Sequence, residues 1–403
     1  MRKKKNILHI TANLHSGGVE HLLAKSLAIL DQENFTHHVC CISEGGYYKA
    51  EIQSLGISCW IMNRHHRYDP NIIVQMAQLM QRLQIDVVHT LNFTANTWGR
   101  IAAKIAGVSK IIAHERGTAW TENATMRLVD RLLYHFTDLL IANSKAAYTI
   151  LTQHVGLSTK RLRVIYNGLP EYPPNYQKTY QLRHQLGLKN DQLLVGTIGR
   201  LDTPKGIQFL LKTIPKIVES YPNVHFVIVG DGPLRDYYES LAQSIGLFDQ
   251  NLVSFLGFIP NASTLLTEID ILVQPSIREP LGNSLIEAGL NECPVVASNV
   301  DGCPEVIEHE TTGLLVNCDI PVTKIVAPGA SPLPKVVVDG ETRTLRAPLG
   351  PNPNDLAQAI IRLCSNSKLR HLMGTNARQR TQRYFSLERY VSDLEDLYRG
   401  FIL

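Results

Sequence analysis

The sequence predicts an α/β protein built from two doubly wound parallel-sheet halves, and three observations carry that expectation. Short apolar strands, turns and amphipathic helices alternate along nearly the whole chain. A proline-rich break at residues 169–175 interrupts the rhythm once. The 403 residues, 44% of them hydrophobic, are enough for two cores and too many for one.

Taken in order, residues 7–10 are the first expected strand, and Gly17-Gly18 turns the chain into a helix over 19–30. Further strands are expected at 38–43, 87–88, 111–113, 139–142 and 164–165, with helices over 72–83, 98–106 and 126–136. After the break, strands follow at 193–198, 225–229, 253–256, 271–274 and 295–297. Thr203-Pro204 should open a helix to about Ser220, since proline at a first helical position lacks an N–H that would have no partner there anyway. Residues 318–352 are an insertion rich in proline and glycine, in which Asp339-Gly340 between strand-like runs predicts a β-hairpin. Residues 387–401 form a helix with an apolar stripe. The expected domains are therefore 1–172 and 173–384, the second including the insertion.

Residues 1–172 carry 19 Lys and Arg against 12 Asp and Glu, and the remainder 21 against 24. The basic first half predicts an anionic partner. Nucleic acid is not expected, because the charges are spread and no recognition motif accompanies them. The helix containing Met126, Arg127 and Arg131 suits an anionic membrane surface, and hence a lipid-linked acceptor. Seven cysteines without a C-x-x-C pair, no signal-peptide pattern after Met1, and no apolar run near the roughly 18–20 residues of a span predict a cytoplasmic protein, peripheral on the inner face of the cell membrane. No metal is expected: the adjacent pairs His37-His38 and Cys40-Cys41 would point to opposite faces of a strand.

The residues that point to chemistry lie mostly in the second half. Glu279 and Glu287 stand eight apart with Pro280-Leu281-Gly282 between them. That spacing predicts a loop followed by a helix starting near Asn283 as N-cap, where backbone N–H groups and the helix dipole can hold a diphosphate. Glu279 would sit in the loop beside a sugar. Glu287 would lie roughly 6 Å further along at about 1.5 Å per residue, able to accept from two ribose hydroxyls. Arg200 and Lys205, between a strand and a helix, can converge on the two phosphates and offset the charge developing on a leaving group. Gly17 and Gly18 allow close approach of a backbone to phosphate, although the G-x-G-x-x-G fingerprint is absent. Gly230-Asp231-Gly232-Pro233 is a similar strand-end turn.

In this order, Gly17-Gly18-Val19-Glu20, Tyr166-Asn167-Gly168, Gly199-Arg200 with Lys205-Gly206, Gly230-Asp231-Gly232-Pro233, and Glu279 with Glu287 resemble the family 4 (group 1) glycosyltransferases. The resemblance implies the GT-B fold, two Rossmann-like domains facing across a cleft, with the C-terminal helix (385–403) packing back on the first. It also implies transfer from a nucleoside-diphosphate sugar with retention of configuration, needing no cofactor or metal ion. By position it assigns Arg200 and Lys205 to the diphosphate and Glu287 to the ribose. Glu279, with the backbone of Leu281, Gly282 and Asn283, falls to the sugar and phosphates, and Phe258 to the base. His114 matches the active-site histidine that contacts the donor sugar. Where many members have Gly-Phe-Gly after the first glutamate, this chain has Pro280-Leu281-Gly282, which leaves sugar preference open.

The expected reaction moves a hexose or N-acetylhexosamine, UDP-linked in the favoured case, to a hydroxyl of a glycan or lipid-linked acceptor in cell-surface polysaccharide biosynthesis. A UDP-sugar epimerase on the same fold is the rival enzyme, and a non-catalytic nucleotide-sugar-binding protein the rival from another class. A two-carboxylate glycoside hydrolase would have no use for a cationic diphosphate clamp.

Overall fold

The computed structural model describes residues 4–402 apart from Ser16, His65, Arg67, Tyr68, residues 172–180 and Asn190. Seven strands form the first sheet: β1 (Lys5–Thr11), β2 (Phe35–Cys41), β3 (Ser58–Ile61), β4 (Val87–Leu91), β5 (Lys110–Glu115), β6 (Leu139–Ala142) and β7 (Leu162–Val164). They lie parallel in the order β3-β2-β1-β4-β5-β6-β7. The second sheet has β8 (Leu193–Ile198), β9 (Val224–Val229), β10 (Val253–Gly257), β11 (Ile271–Gln274), β12 (Val295–Ser298) and β13 (Gly313–Val316). Its order is β10-β9-β8-β11-β12-β13, again parallel. Strands such as β6 and β9 are buried along their whole length because helices cover both faces.

The chain divides into two units, Met1–Pro170 with Phe385–Leu403, and Glu171–Tyr384. Of the expected linker, residues 172–175 lie outside the described residues, while Leu169 pairs with Ser386 in a parallel bridge. The C-terminal helix Leu387–Ile402 places Leu387, Tyr390, Leu394 and Tyr398 in one cluster with Ile7, Leu22 and Val87 of the first unit. Gly168 makes the return possible: a Cβ there would lie 2.2 Å from the Ser386 carbonyl oxygen and 2.5 Å from Tyr390 Cβ. Arg389 fastens the junction, one Nη donating to the Tyr166 and Asn167 carbonyls at 2.6 and 3.1 Å.

Several sequence expectations are corrected. The helix expected from Thr203 is a 3-10 turn, Thr203–Lys205, a left-handed Gly206, and then the helix Ile207–Ser220. Gly206 is obligatory there, since a Cβ would lie 2.1 Å from the Pro275 carbonyl oxygen. The insertion is two short ribbons. In it β14 (Cys318–Pro321) pairs with β17 (Leu349–Pro351), and β15 (Val337–Val338) with β16 (Leu345–Arg346), all antiparallel. The turn between β15 and β16 is longer than Asp339-Gly340 alone. Asp339 donates its N–H to the Thr344 carbonyl, and its carboxylate accepts from the amides of Glu341 and Thr342 and from Arg346. Among the described residues no helix is long and apolar enough to cross a membrane.

Candidate functional site

In each sheet the strand order reverses once, between β1 and β4 and between β8 and β11. Crevices outside the carboxyl ends of strands at such a reversal are where doubly wound sheets bind ligands. Both phosphate-type signals of the second unit fall there: the Arg200–Lys205 turn leaves β8, and the Glu279 loop leaves its neighbour β11.

The loops beside them are knitted together by backbone. Gly199 N–H donates to Val229, Leu201 to Asp231, and Gly230 to Gly257 at 2.8–3.0 Å. Gly230 (φ +133°) cannot be replaced without a shift, because a Cβ would lie 1.9 Å from the Gly199 carbonyl oxygen. Phe258 follows β10 and is 61% exposed.

Asp202 organises the turn: its carboxylate accepts from the Thr203 N–H at 2.8 Å and pairs with Arg200 Nε at 3.5 Å. The Arg200 side chain is otherwise largely exposed, 65% of it accessible. Lys205 instead lies along Gly199, where a Cβ would be 3.4 Å from its Cε, and its Nζ donates to Glu279 Oε2 at 2.6 Å. The two cations therefore have different carboxylate partners.

Glu279 is buried and held on every side. The same Oε2 accepts from Gln274 Nε2 at 3.0 Å and Ser276 Oγ at 3.2 Å. Its N–H donates to Asp301 Oδ2 at 3.0 Å, and its carbonyl accepts from Gly302 N–H at 3.0 Å. Burial pushes the Asp301 carboxyl up to about 6. Leu281 is buried, and Gly282 (φ +94°) is the cap of the helix Asn283–Leu290. This corrects the expected N-cap by one residue: Asn283 is the first helical residue, because the sharp left-handed turn needs glycine. The first intrahelical donors are Leu285 and Ile286, both to the Gly282 carbonyl, so the amides of the first helical residues have no carbonyl partner within the helix.

Glu287, one turn on, makes no side-chain hydrogen bond or ion pair among the described residues. Burial pushes its carboxyl up to about 7, with Lys205 partly offsetting the rise. The structure thus brings Lys205, Glu279, Gly282, Asn283 and Glu287 to one place at the ends of β8 and β11. Sequence reasoning missed Asp202, Gln274, Ser276 and Asp301 as site residues, since nothing in the spacing marks Gln274 as a donor to Glu279.

In the first unit, Gly17 caps the helix Gly18–Leu27 after β1, and a Cβ on Gly17 would meet only the flexible end of Glu20. His114, near the end of β5, is fully buried, and neither ring nitrogen has a hydrogen-bond partner among the described residues. It stacks on His89, centroids 5.5 Å apart and planes at 6°. Register puts His89 opposite His9, whose Nε2 meets His37 Nδ1 at 3.1 Å, so four imidazoles line one face of the sheet. Burial first, then the nearby Arg116 charge, holds His114 well below its ordinary pKa, so it is neutral at pH 7.

Comparison with known proteins agrees with this anatomy. Residues 16–171 match the model for Glycosyltransferase Family 4, and residues 192–327 that for Glycosyl transferases group 1. An uncharacterized glycosyltransferase of Methanocaldococcus jannaschii is 30% identical over 246 residues, 59% of this chain and about half (54%) of that protein's length. A UDP-Gal:alpha-D-GlcNAc-diphosphoundecaprenol alpha-1,3-galactosyltransferase of Escherichia coli is 23% identical over 98% of this chain and 97% of its own. The crystal structure of Anabaena HepE in complex with UDP and glucose superposes with a TM-score of 0.78 at 23% identity, covering 98% of this chain and 100% of that one, a likeness of fold. With one family model on each of two parallel-sheet α/β units, the chain belongs to the group 1, family 4 glycosyltransferases of GT-B fold.

Proposed function

We propose that this glycosyltransferase moves a hexose or N-acetylhexosamine from a UDP-sugar to a hydroxyl of a glycan or lipid-linked acceptor, with retention of configuration and without a metal ion. The observation that carries the reading is the meeting of Lys205, Glu279 and Glu287 around one glycine-capped helix start. An ammonium and a helix start suit the phosphates, and two carboxylates suit hydroxyl pairs on sugar and ribose. Two cations and a helix start already offer the positive charge that a departing diphosphate requires, which supports a metal-independent reaction. HepE, crystallised with UDP and glucose, and the galactosyltransferase relative named for a UDP-Gal donor and a diphosphoundecaprenol-linked sugar support the donor and acceptor classes. The setting that fits both is cell-surface glycoconjugate synthesis, on the cytoplasmic face of a membrane.

In the proposed step the bond between the sugar C1 and the diphosphate oxygen breaks while Lys205 and Arg200 hold the phosphates. The acceptor oxygen bonds to C1 on the same face, and its proton passes to the leaving phosphate oxygen. Phe258, through its backbone, is assigned to the base, and the Gly17-Gly18 turn and His114 to the donor. A neutral imidazole with two idle nitrogens is suited to hydrogen bonding with a sugar hydroxyl.

The test is nucleotide release from a panel of UDP- and GDP-sugars with a diphosphoundecaprenol-linked sugar as acceptor, with and without EDTA, and product anomers read by NMR. Release should depend on acceptor, persist in EDTA and give the donor's anomer. Lys205→Ala and His114→Ala should each lower kcat by roughly 100-fold or more, the scale of a lost transition-state contact. Inverted product, EDTA inhibition or near wild-type turnover in Lys205→Ala would each defeat the corresponding part.

A further inference from the structure

The insertion 318–352 reaches the donor-side loops of its own unit at two places. Ser331 donates its N–H to Asp202 Oδ1 at 2.8 Å and its hydroxyl to Asp202 Oδ2 at 2.6 Å. Strand β15 joins the Asp301 loop: Val338 N–H donates to Asp301 Oδ1 at 2.7 Å, and Asp301 N–H to the Val338 carbonyl at 2.8 Å. Arg343 adds a bond to the Asp301 carbonyl at 2.7 Å and an ion pair with Glu305 at 2.6 Å. Asp301 in turn holds the Glu279 amide. The insertion thus stands behind both members of the Lys205–Glu279 pair.

The Asp202 contact has a specific consequence. Its nearly buried carboxylate has four donors within reach: Thr203 N–H, the two groups of Ser331, and Arg200 Nε, the last at only 3.5 Å. A buried carboxylate short of donors draws in the nearest cation. Because Ser331 fills two acceptor sites, Asp202 is satisfied without a close Arg200 contact, and the guanidinium stays exposed. Resting on the donor-binding reading above, we propose that the insertion is a working part of the donor site, in which Ser331 is a positioning residue that occupies Asp202 and so keeps Arg200 available for the diphosphate.

Titration calorimetry with UDP on the full chain tests this, using Ser331→Ala, Ser331→Thr, Arg200→Ala and the double variant Arg200→Ala with Ser331→Ala. Ser331→Ala should weaken UDP binding about tenfold, the scale of one hydrogen bond to a charged group, with an unchanged melting midpoint. Ser331→Thr should restore it, and Ser331→Ala should have no further effect once Arg200 is absent. Wild-type affinity in Ser331→Ala, or an equal loss with and without Arg200, overturns the proposal. Hydrogen exchange on the same proteins without nucleotide decides the brace separately. Amides of 199–206 should exchange faster in Ser331→Ala, and those of 277–283 in Arg343→Gln, with the strands unaffected. If both segments stay unchanged the brace is wrong, whatever UDP does. If wild type ignores UDP while both segments respond, the brace stands and the UDP-donor reading is what fails.

Discussion

Glu287 lies in the field of Lys205 with its carboxyl pushed up to about 7, and this gives it two pH signatures of opposite sign. The unfolded glutamate ionises near 4.3, so between that value and about 7 the folded state holds a proton the unfolded state has lost. Its contribution to stability is complete below the lower value and is eroded as pH rises to about 7. Nucleotide binding runs the other way, because only the ionised carboxylate accepts from both ribose hydroxyls. UDP affinity should therefore fall about tenfold from pH 8 to pH 6 through this residue, as one titrating group requires. Glu287→Gln should remove both slopes, read by calorimetry and by chemical denaturation across that range. An unchanged binding slope in the variant would assign the titration to another group. None of this was legible in the sequence, which placed Glu287 correctly on a helix but said nothing of Lys205 as its neighbour 82 positions away.

Elements differ in how openly the sequence announces them. The strand Leu139–Ala142 stands where its unbroken apolar run puts it, since buried parallel strands are rich in such runs. The edge strand Ser58–Ile61 does not: it is only partly covered and mixes serine with cysteine, and the strands expected from the sequence do not include it. The helix Ser367–Phe385 was also missed, because its apolar residues do not gather on one side. The hydrogen bonds of Asp202 and Asp301 to the insertion join residues 129 and 37 positions apart, beyond any local pattern. The amphipathic helix Ala124–Tyr134 shows the reverse case, an element whose stripe the fold leaves uncovered. Leu128, Leu132 and Phe136, at i, i+4 and i+8, are 55%, 59% and 46% exposed, Ile105 is 61% exposed nearby, and Lys104 lies 5.5 Å from the Phe136 ring. An apolar stripe flanked by Lys104 and Arg131 suits insertion into an anionic lipid interface. Flotation with phosphatidylglycerol vesicles should recover the protein, and Leu128→Glu with Leu132→Glu should reduce recovery at least tenfold, since each buried leucine contributes about 1.5–3 kcal/mol. Equal flotation of wild type and variant would dismiss the lipid surface as a partner.

At the level of the whole molecule, the chain leaves the first unit at Pro170 and re-enters it at Phe385. The returning helix carries Tyr398, fully buried, with its hydroxyl 2.7 Å from His89 Nδ1. His89 Nε2 has no partner among the described residues, so Tyr398→Phe leaves that ring without any hydrogen bond, at a cost of about 1–3 kcal/mol. Tyr398→Ala should cost about 3–5 kcal/mol through the cavity. All three tryptophans, Trp60, Trp98 and Trp120, lie in the first unit, so their fluorescence during urea unfolding reports on that unit directly. A midpoint unmoved by either substitution would mean that the returning helix contributes little to the sheet it covers.

That return also inverts the order of events during synthesis. A ribosome working at about 5–20 residues per second needs on the order of ten to fifty seconds to travel from the end of the first sheet to Tyr398. For that interval the earliest-made strands wait with an apolar trough open, and the second unit, which ends at Tyr384, is completed before the helix that closes the first. The core of the first unit is therefore closed only once the helix carrying Tyr390, Leu394 and Tyr398 has been made.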